Sequence, residues 1–187
     1  MRRVRLSVAM SLDGYLAGPN GEIDWIVMDP EIDFGSLMGS FDTVLLGRKT
    51  YEMTRGQGGG GMPGMKVYVF SQTLRQADCP GVIVSDNPAA TVAALKGARE
   101  GKDIWLFGGG SLFRSLLELG LVDSVEVAVI PVLLGGGLPL LPQPAARSKL
   151  RLVKHRIYEK TGTVSLEYAM LGRHEGSGRS RSRRRSS

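Results

Sequence analysis

WLFGGGSLFRSLL, residues 105–117, joins an apolar run to a helical pattern through three consecutive glycines. The run DIWLF at 103–107 predicts a buried strand, and the spacing of the later apolar residues predicts a helix from Ser111 to Leu119, ended by Gly120. A strand that leads directly into a helix is the building unit of an α/β fold with a parallel sheet. This corner therefore decides the fold class.

The glycines of this corner, Gly108, Gly109 and Gly110, suit an anion such as a phosphate. Because they lack side chains, a ligand can approach the backbone, and the helix start at Ser111 and Leu112 offers N–H groups at the positive end of the helix dipole. The alternative is that the glycines only permit tight packing of strand and helix. The G-x-G-x-x-G fingerprint and the Walker A pattern both fail here.

A second corner of the same design lies 61 residues earlier, in LLGRKTYE at 45–52. Gly47 ends a strand, and Arg48, Lys49 and Thr50 open a helix, where they would supply positive charge, a hydroxyl and an N–H group. Two such corners at one edge of a sheet would hold the pyrophosphate of a dinucleotide from both sides. For Arg48 and Lys49 the alternative is ordinary surface solvation.

A third polar segment follows the strand KVYVFS at 66–71. Ser71 and Gln72, with Arg75 nearby, are suited to an adenosine 2′-phosphate. An ordinary turn at the end of a strand is the alternative.

The rest of the chain continues the alternation of strands and helices. Further strands are predicted at 3–10, 43–47 and 81–85, and helices at 29–41, 48–54 and 87–100. The last third is β-rich, with strands at 124–134, 149–159 and 163–171, the final two forming a hairpin. Glycine-rich segments at 11–25 and 56–64 are predicted to be mobile loops, with 14–22 and 56–64 as candidate lids. The pattern predicts a mixed sheet, parallel in its middle, with an antiparallel edge.

Composition predicts one domain, residues 1–171, followed by an Arg/Ser-rich disordered tail, residues 172–187. The tail carries six arginines and one glutamate, a net of +5, which leaves +1 of the total +6 for the domain. We therefore expect nucleic acid to bind, if at all, only through the tail. The absence of a long apolar run and of a signal-peptide pattern predicts a cytoplasmic protein with no membrane contact. Cys79 is the single cysteine, so no disulfide or metal site is expected.

Five segments, in this order, resemble the dihydrofolate reductase superfamily: AMSLDGYLAG at 9–18, LLGRKTYE at 45–52, VFSQTL at 69–74, LFGGGSLF at 106–113 and IPVLLGGGLPLL at 130–141. The closer likeness is to the stand-alone relatives of the reductase, C-terminal domain of the bifunctional riboflavin-biosynthesis deaminase-reductase. The deaminase zinc motif is missing. The resemblance covers residues 1–171 and implies a three-layer α/β fold with a mixed, mostly parallel central sheet, an antiparallel C-terminal hairpin and helices on both faces.

The resemblance also implies that NADPH is the cofactor. It places Ala9 near the nicotinamide, Arg48 and Thr50 at the phosphates, Ser71 at the adenosine end, and the segment from Gly108 to Leu112 at the pyrophosphate. A homodimer is expected from the same likeness and from the apolar segment 130–141.

Acidic residues are the candidate catalytic groups that the resemblance implies. Asp13 of SLDG would lie close to the reacting centre. Dihydrofolate reductases also place an acid on the first helix, where it binds the amino-pyrimidine edge of the substrate. Glu31 corresponds in position, and Asp29 and Asp33 compete for the role. Stabilisation of the helix dipole alone is the alternative for all three.

These observations predict an NADPH-dependent reductase that transfers hydride to a small heterocyclic substrate, a pteridine or a ribosylaminopyrimidine. The two histidines, His155 and His174, are expected to be structural or solvated. The alternative function is a non-catalytic nucleotide-binding module whose basic tail contacts nucleic acid.

Overall fold

An eight-stranded sheet forms the centre of the computed structural model, which describes residues 1–56 and 62–172. Its strands along the chain are β1 (Val4–Ser11), β3 (Phe41–Gly47), β4 (Lys66–Phe70), β5 (Ile83–Ser85), β6 (Asp103–Gly108), β7 (Ser124–Ile130), β9 (Leu150–Tyr158) and β10 (Thr163–Met170). Two short strands, β2 (Tyr15–Ala17) and β8 (Leu138–Pro139), form a separate antiparallel pair.

The strand order across the sheet is β5-β4-β3-β6-β1-β7-β10-β9. Every pairing from β5 to β7 is parallel, whereas β10 pairs antiparallel with both β7 and β9. The predicted mixed sheet with an antiparallel C-terminal hairpin is therefore confirmed. Because β3 and β6 are parallel neighbours, their carboxyl ends meet at one edge of the sheet.

Helices cover both faces of this sheet, as predicted. They are α1 (Phe34–Gly39), α2 (Arg48–Gly56), α3 (Pro88–Gly97) and α4 (Gly110–Glu118). On one face, the core cluster includes Val92 of α3 and Leu116 of α4. On the other face, the cluster includes Tyr51 of α2, with Leu37 and Met38 of α1 packed against it.

The first helix is shorter than the prediction of 29–41. It begins at Phe34, because Asp33 is the residue that caps it: the Asp33 carboxylate accepts a hydrogen bond from the Ser36 N–H at 2.8 Å. Asp29, the cap that the Asp-Pro pattern suggested, is buried, and its carboxylate accepts both the Glu31 N–H and the Thr161 hydroxyl at 2.9 Å. The predicted start was wrong because the turn at Asp29 does not continue into a helix, which begins only after Asp33.

The glycine-rich segment at 11–25 is not a free loop along its whole length, which corrects the prediction. Residues 15–17 form β2, which pairs with β8. Leu12 N–H donates to the Val132 carbonyl at 2.9 Å, and Leu140 N–H donates to the Gly14 carbonyl at 2.9 Å. The predicted strand 124–134 ends at Ile130, because Pro131 has no N–H to continue the ladder. The loop that follows β7 carries the residues that bond to the 12–17 segment.

Two segments that the sequence predicts to be mobile or disordered lie mostly outside the residues that the structure describes. Residues 57–61 of the predicted 56–64 loop, and residues 173–187 of the predicted tail, lie outside the described residues. The boundary between a domain at 1–171 and a tail thus stays a prediction. Within residues 1–56 and 62–172, no helix has the length and apolar character needed to span a membrane.

Candidate functional site

The two glycine corners meet at the carboxyl edge of the sheet. Leu46 of β3 pairs with Gly108 of β6, and a Cβ built on Gly47 would lie 3.7 Å from the Gly108 carbonyl oxygen. A Cβ on Gly108 would lie 3.1 Å from Thr50 Cγ2, and one on Gly109 would lie 3.3 Å from Thr50 Oγ1. Side chains at these positions would therefore fill the space beside Thr50, and Gly109 also needs its positive φ of 94°.

Two helices start from these corners. Arg48 opens α2 directly after β3, and α4 begins at Gly110. The first bond of α4 runs from the Phe113 N–H to the Gly109 carbonyl at 3.0 Å. The N–H groups of Ser111 and Leu112 therefore precede the helical ladder and have no acceptor within the helix. This is the arrangement that binds anions at helix starts.

Gly110 faces a different neighbour. A Cβ there would lie 2.6 Å from the Pro139 carbonyl oxygen and 2.9 Å from Pro142 Cδ. The third glycine is thus required by close packing against the 139–142 segment, which is the alternative that the sequence left open for the three glycines. A cofactor contact through its N–H stays a prediction.

The other predicted cofactor residues lie at the same edge of the sheet. Ser71 directly follows Phe70, which pairs with Gly47, and its hydroxyl accepts the N–H groups of Thr73 at 3.1 Å and Leu74 at 3.0 Å. Gln72 and Lys49 are exposed. Arg48 is also exposed, and its guanidinium contacts the Glu52 carboxylate at 2.9 Å.

A cleft of about 670 Å³ lies on the sheet face that carries α1. Its floor is formed by β1, β7, β10 and β9, and its roof by residues 26–38. Ala9, Phe107 and Ile130 lie at the end of the cleft nearest the glycine corners, since Phe107 immediately precedes Gly108. The predicted nicotinamide position at Ala9 therefore lies on the floor of this cleft, at that end.

The three candidate acids of the first-helix region have separate environments. Asp33 lines the cleft while it caps α1. Glu31 points to the β9–β10 hairpin, where Arg156 lies at 3.0 Å and Lys160 at 3.8 Å. Asp29 is 2% exposed, accepts a hydrogen bond from Thr161 Oγ1 at 2.9 Å, and does not line the cleft.

Asp13 holds the loop after β1 to the loop after β7. Its carboxylate accepts the Ser11 hydroxyl at 2.6 Å and the Gly135 N–H at 2.7 Å, and it also accepts the Leu134 N–H at 3.1 Å. The Ser11 hydroxyl, together with these backbone donors, lowers the pKa of Asp13 below its usual value. Asp13 is therefore ionised near neutral pH, and its side chain is not among those that line the cleft.

The family assignment rests on comparison with known proteins. The family model of the RibD C-terminal domain matches residues 2–163. The chain belongs to the RibD C-terminal domain family. It is 36% identical over 183 residues to the uncharacterized protein YyaP of Bacillus subtilis, an alignment that covers 91% of this chain and 96% of YyaP.

Solved structures show that this RibD C-terminal domain has the dihydrofolate reductase-like fold. A putative riboflavin biosynthesis protein from Shewanella sp. PV-4 superposes with a TM-score of 0.76 at 24% identity, covering 92% of this chain and 100% of that one. Dihydrofolate reductase from Enterococcus faecalis, complexed with NADP(H), superposes with a TM-score of 0.67 at 16% identity, covering 91% of this chain and 97% of that one. Family and fold together support an oxidoreductase.

The polar floor of the cleft in this RibD C-terminal domain was missed by the sequence analysis. Arg5 donates to both carboxylate oxygens of Glu126, at 2.7 and 2.8 Å, and Glu167 and His155 also line the cleft. The alternation in SVEVAVI, residues 124–130, was the available signal, because it places Glu126 on the strand face opposite the valines. The β-rich composition of this segment predicts only a strand, whereas the alternation within it also indicates a polar face.

Proposed function

We propose that the chain is an NADPH-dependent reductase that transfers hydride to a small heterocycle, either a pteridine of the dihydrofolate type or a ribosylaminopyrimidine of the riboflavin-biosynthesis type. One observation carries the proposal: the glycine corners of β3 and β6 adjoin the cleft through Phe107, which lines the cleft and precedes Gly108. A dinucleotide held at the corners would therefore have its nicotinamide end beside Ala9 on the cleft floor.

The corner residues fit the diphosphate of a dinucleotide. Gly108 and Gly109 leave open the space beside Thr50, and the N–H groups of Ser111 and Leu112 precede the helical ladder of α4. We propose that Gly47, Gly110, Arg48 and Lys49 complete the phosphate site and that Ser71 and Gln72 contact the adenosine end. When bound, the reduced nicotinamide supplies the hydride.

The chain itself would align the substrate and exclude water. Residues 26–38 cover the cleft with largely apolar side chains, including Ile26, Leu37 and Met38. Among the three proposed catalytic acids, Asp33 has its side chain in the cleft, so we assign it proton delivery. Glu31, bound to Arg156, and Asp13, bound to the 134–135 backbone, would act by holding loops beside the site. Because the reaction consumes NADPH, we propose that it takes place in the cytoplasm.

Fluorescence titration of the full chain with NADPH tests this proposal. We expect saturable binding that is tighter than binding of NADH. Thr50→Val removes a hydroxyl at the corner without changing the side-chain volume, and the loss of one neutral hydrogen bond should weaken NADPH binding by roughly three- to tenfold. Thr54→Val, on the same helix but bonded to its own helix carbonyl of Tyr51, is the matched control.

If the wild-type protein does not bind NADPH, the enzyme proposal fails. A non-catalytic binding module would then be the better account. Equal affinity of the Thr50 and Thr54 variants would remove Thr50 from the cofactor site while leaving the reductase itself in place.

A homodimer is also proposed, through the edge strand β9. All of its residues except Tyr158 are exposed, and they include four large apolar side chains: Leu150, Leu152, Val153 and Ile157. An edge strand with free backbone groups and apolar side chains is a template for pairing with another strand. A second copy of this chain would offer the same strand in antiparallel orientation.

A further inference from the structure

A row of polar side chains crosses the floor of the cleft. Ser7 of β1 pairs with Glu126 of β7, Glu126 pairs with Glu167 of β10, and Glu167 pairs with Lys154 of β9. Residues that pair across neighbouring strands share a sheet face, so these four side chains lie side by side. All four line the cleft.

Glu126 is already neutralised within this row. Its Oε1 accepts Arg5 Nε at 2.7 Å and the Ser124 hydroxyl at 2.9 Å, and its Oε2 accepts the second Arg5 nitrogen at 2.8 Å. Both side chains of the ion pair are only 13% exposed. A buried bidentate pair of this kind has no strong acceptor left for a ligand.

Glu167 differs from Glu126 in this respect. It is half-buried, and no hydrogen bond or ion pair reaches its carboxylate from any residue in the described ranges 1–56 and 62–172. Its cross-strand neighbour Lys154 is exposed and is not within ion-pair distance of it, while Arg156 is held by Glu31 and by the ring of Tyr158. Two carboxylate oxygens of the cleft floor are therefore available to donors on a ligand.

The position of Glu167 suits the far end of a flat ring. Ser7 is two residues along β1 from Ala9, about 6.6 Å, and Glu167 lies two strands farther across the sheet, about 9.6 Å. The backbone of Glu167 is therefore roughly 12 Å from that of Ala9. Ala9 and its neighbour Ala128 have small side chains, so a ring can lie flat over them, and the apolar side chains of Ile26 and Leu37 cover the other side. A bicyclic heterocycle whose reducible end lies at Ala9 would extend along most of this distance, and the Glu167 side chain would reach its opposite edge.

We propose that Glu167 is the substrate-recognition carboxylate of this protein, and that it takes a heterocycle with two neighbouring N–H donors, such as an amino group beside a protonated ring nitrogen. The placement of the ring rests on the proposed function. In this assignment a carboxylate on the last strand takes the role that the sequence resemblance had suggested for Glu31, Asp29 or Asp33 on the first-helix segment.

Calorimetric titration of the full chain with two small probes tests the assignment. 2,4-Diaminopyrimidine presents the N–H donor edge, and uracil has the same ring with carbonyl groups in place of the amino groups. In Glu167→Gln we expect the diaminopyrimidine to bind at least about tenfold more weakly, because a charge-assisted pair of hydrogen bonds is lost. Uracil should bind the variant as tightly as the wild type or more tightly, because the Gln amide donates to a carbonyl.

Glu159→Gln is the matched control. Glu159 lies in the turn of the same hairpin, is exposed and does not line the cleft. Its substitution by Gln therefore removes the same negative charge at a position outside the proposed site. If Glu167→Gln does not fold, Glu167→Asp moves the carboxylate by one methylene and should also weaken the diaminopyrimidine selectively.

Two results overturn the assignment: no binding of 2,4-diaminopyrimidine to the wild-type protein, or equal binding to the wild type and the Glu167 variant. NADPH titration of the same samples separates this failure from a failure of the proposed function. A protein that binds NADPH but shows either of those results keeps its reductase assignment and loses Glu167 as the recognition residue.

Discussion

Asp13 illustrates how a side chain's partners decide its role. In the sequence it is one acid in a glycine-rich segment, and the family resemblance places it near the reacting centre. In the structure its carboxylate accepts the Ser11 hydroxyl and the N–H groups of Leu134 and Gly135. The two N–H donors come from a loop more than one hundred residues away, so no local pattern around Asp13 could have identified them.

Asp13→Asn tests this interpretation through the pH dependence of stability. The donors lower the pKa of Asp13 below 3.8, so the folded state favours the ionised carboxylate. The stabilisation is complete above about pH 5, where the unfolded carboxyl is ionised as well, and is lost as the pH falls through the lowered pKa. We expect Asp13→Asn to have a lower melting temperature than the wild type at pH 7, and the gap to close below pH 3.8.

Thermal unfolding followed by circular dichroism between pH 3 and pH 7 measures this gap. Asp24→Asn, an exposed acid of the same glycine-rich segment, is the control and should melt like the wild type. A gap of the same size at pH 3 and pH 7 would contradict the assigned role of the Asp13 charge.

Gly110 gives a second prediction for a single residue. Gly→Ala within a helix normally adds stability, but a Cβ at Gly110 would lie 2.6 Å from the Pro139 carbonyl oxygen. We expect Gly110→Ala to lower the free energy of unfolding by about 1–3 kcal/mol, as overpacking does. Urea denaturation measures the difference. Gly39→Ala in α1, where a new Cβ would meet nothing within 4 Å, should be neutral or more stable by up to about 1 kcal/mol.

At the scale of elements, the sequence predicted best where one pattern repeats without interruption. The strands β6 and β4 and the helix α4 agree with their predicted positions to within one residue, and α3 begins within one residue of its predicted start but ends at Gly97, three residues before its predicted end. For α3 the local signals suffice, because the Asn87 side chain accepts the Ala90 N–H and Pro88 fits the first turn. For α1 they do not suffice, since Asp29 and Asp33 each accept a nearby backbone N–H and only Asp33 is followed directly by the helix.

The edge strand β9 carries the prediction for an element. Lysine at an apolar edge position blocks pairing between strands. We expect Ile157→Lys, at a side chain that is 63% exposed, to convert the proposed dimer to a monomer in light scattering after size-exclusion chromatography. Ile83→Lys changes a side chain that is 42% exposed on β5, the strand at the opposite edge of the sheet, and should leave the oligomeric state unchanged.

A monomeric wild-type protein at the same concentration would refute the proposed dimer directly. A dimer that survives Ile157→Lys would place the interface elsewhere on the molecule.

At the scale of the whole molecule, two side-chain contacts attach the roof of the cleft to its floor. Thr161 Oγ1, in the β9–β10 turn, donates to Asp29 Oδ2 at 2.9 Å, and Glu31 on the same segment pairs with Arg156 of β9. The segment over the cleft is thereby attached to the hairpin that forms part of the cleft floor. Substrate affinity and stability should both depend on this attachment.

Thr161→Val preserves the side-chain volume but removes the donor to Asp29. Because Asp29 is 2% exposed, its carboxylate would lose a partner in a buried position, and we expect the free energy of unfolding to fall by about 1–3 kcal/mol. Limited proteolysis should also cut the segment 23–31 faster than in the wild type. Thr54→Val, whose hydroxyl bonds only within α2, should show neither effect, and an unchanged cleavage rate in Thr161→Val would show that the contact does not hold the roof.

The sequence by itself determined the α/β class, the mostly parallel sheet with its C-terminal hairpin, the family resemblance and the two glycine corners. These features follow from local chemistry: apolar periodicity, caps, and glycines at the ends of strands. The tertiary structure alone decided that Gly110 is needed for packing against Pro139, that Asp13 bonds to the 134–135 backbone, and that Glu167 lines the cleft without a partner. Those roles depend on contacts between residues far apart in the chain, and such contacts exist only after the sheet has assembled in its order.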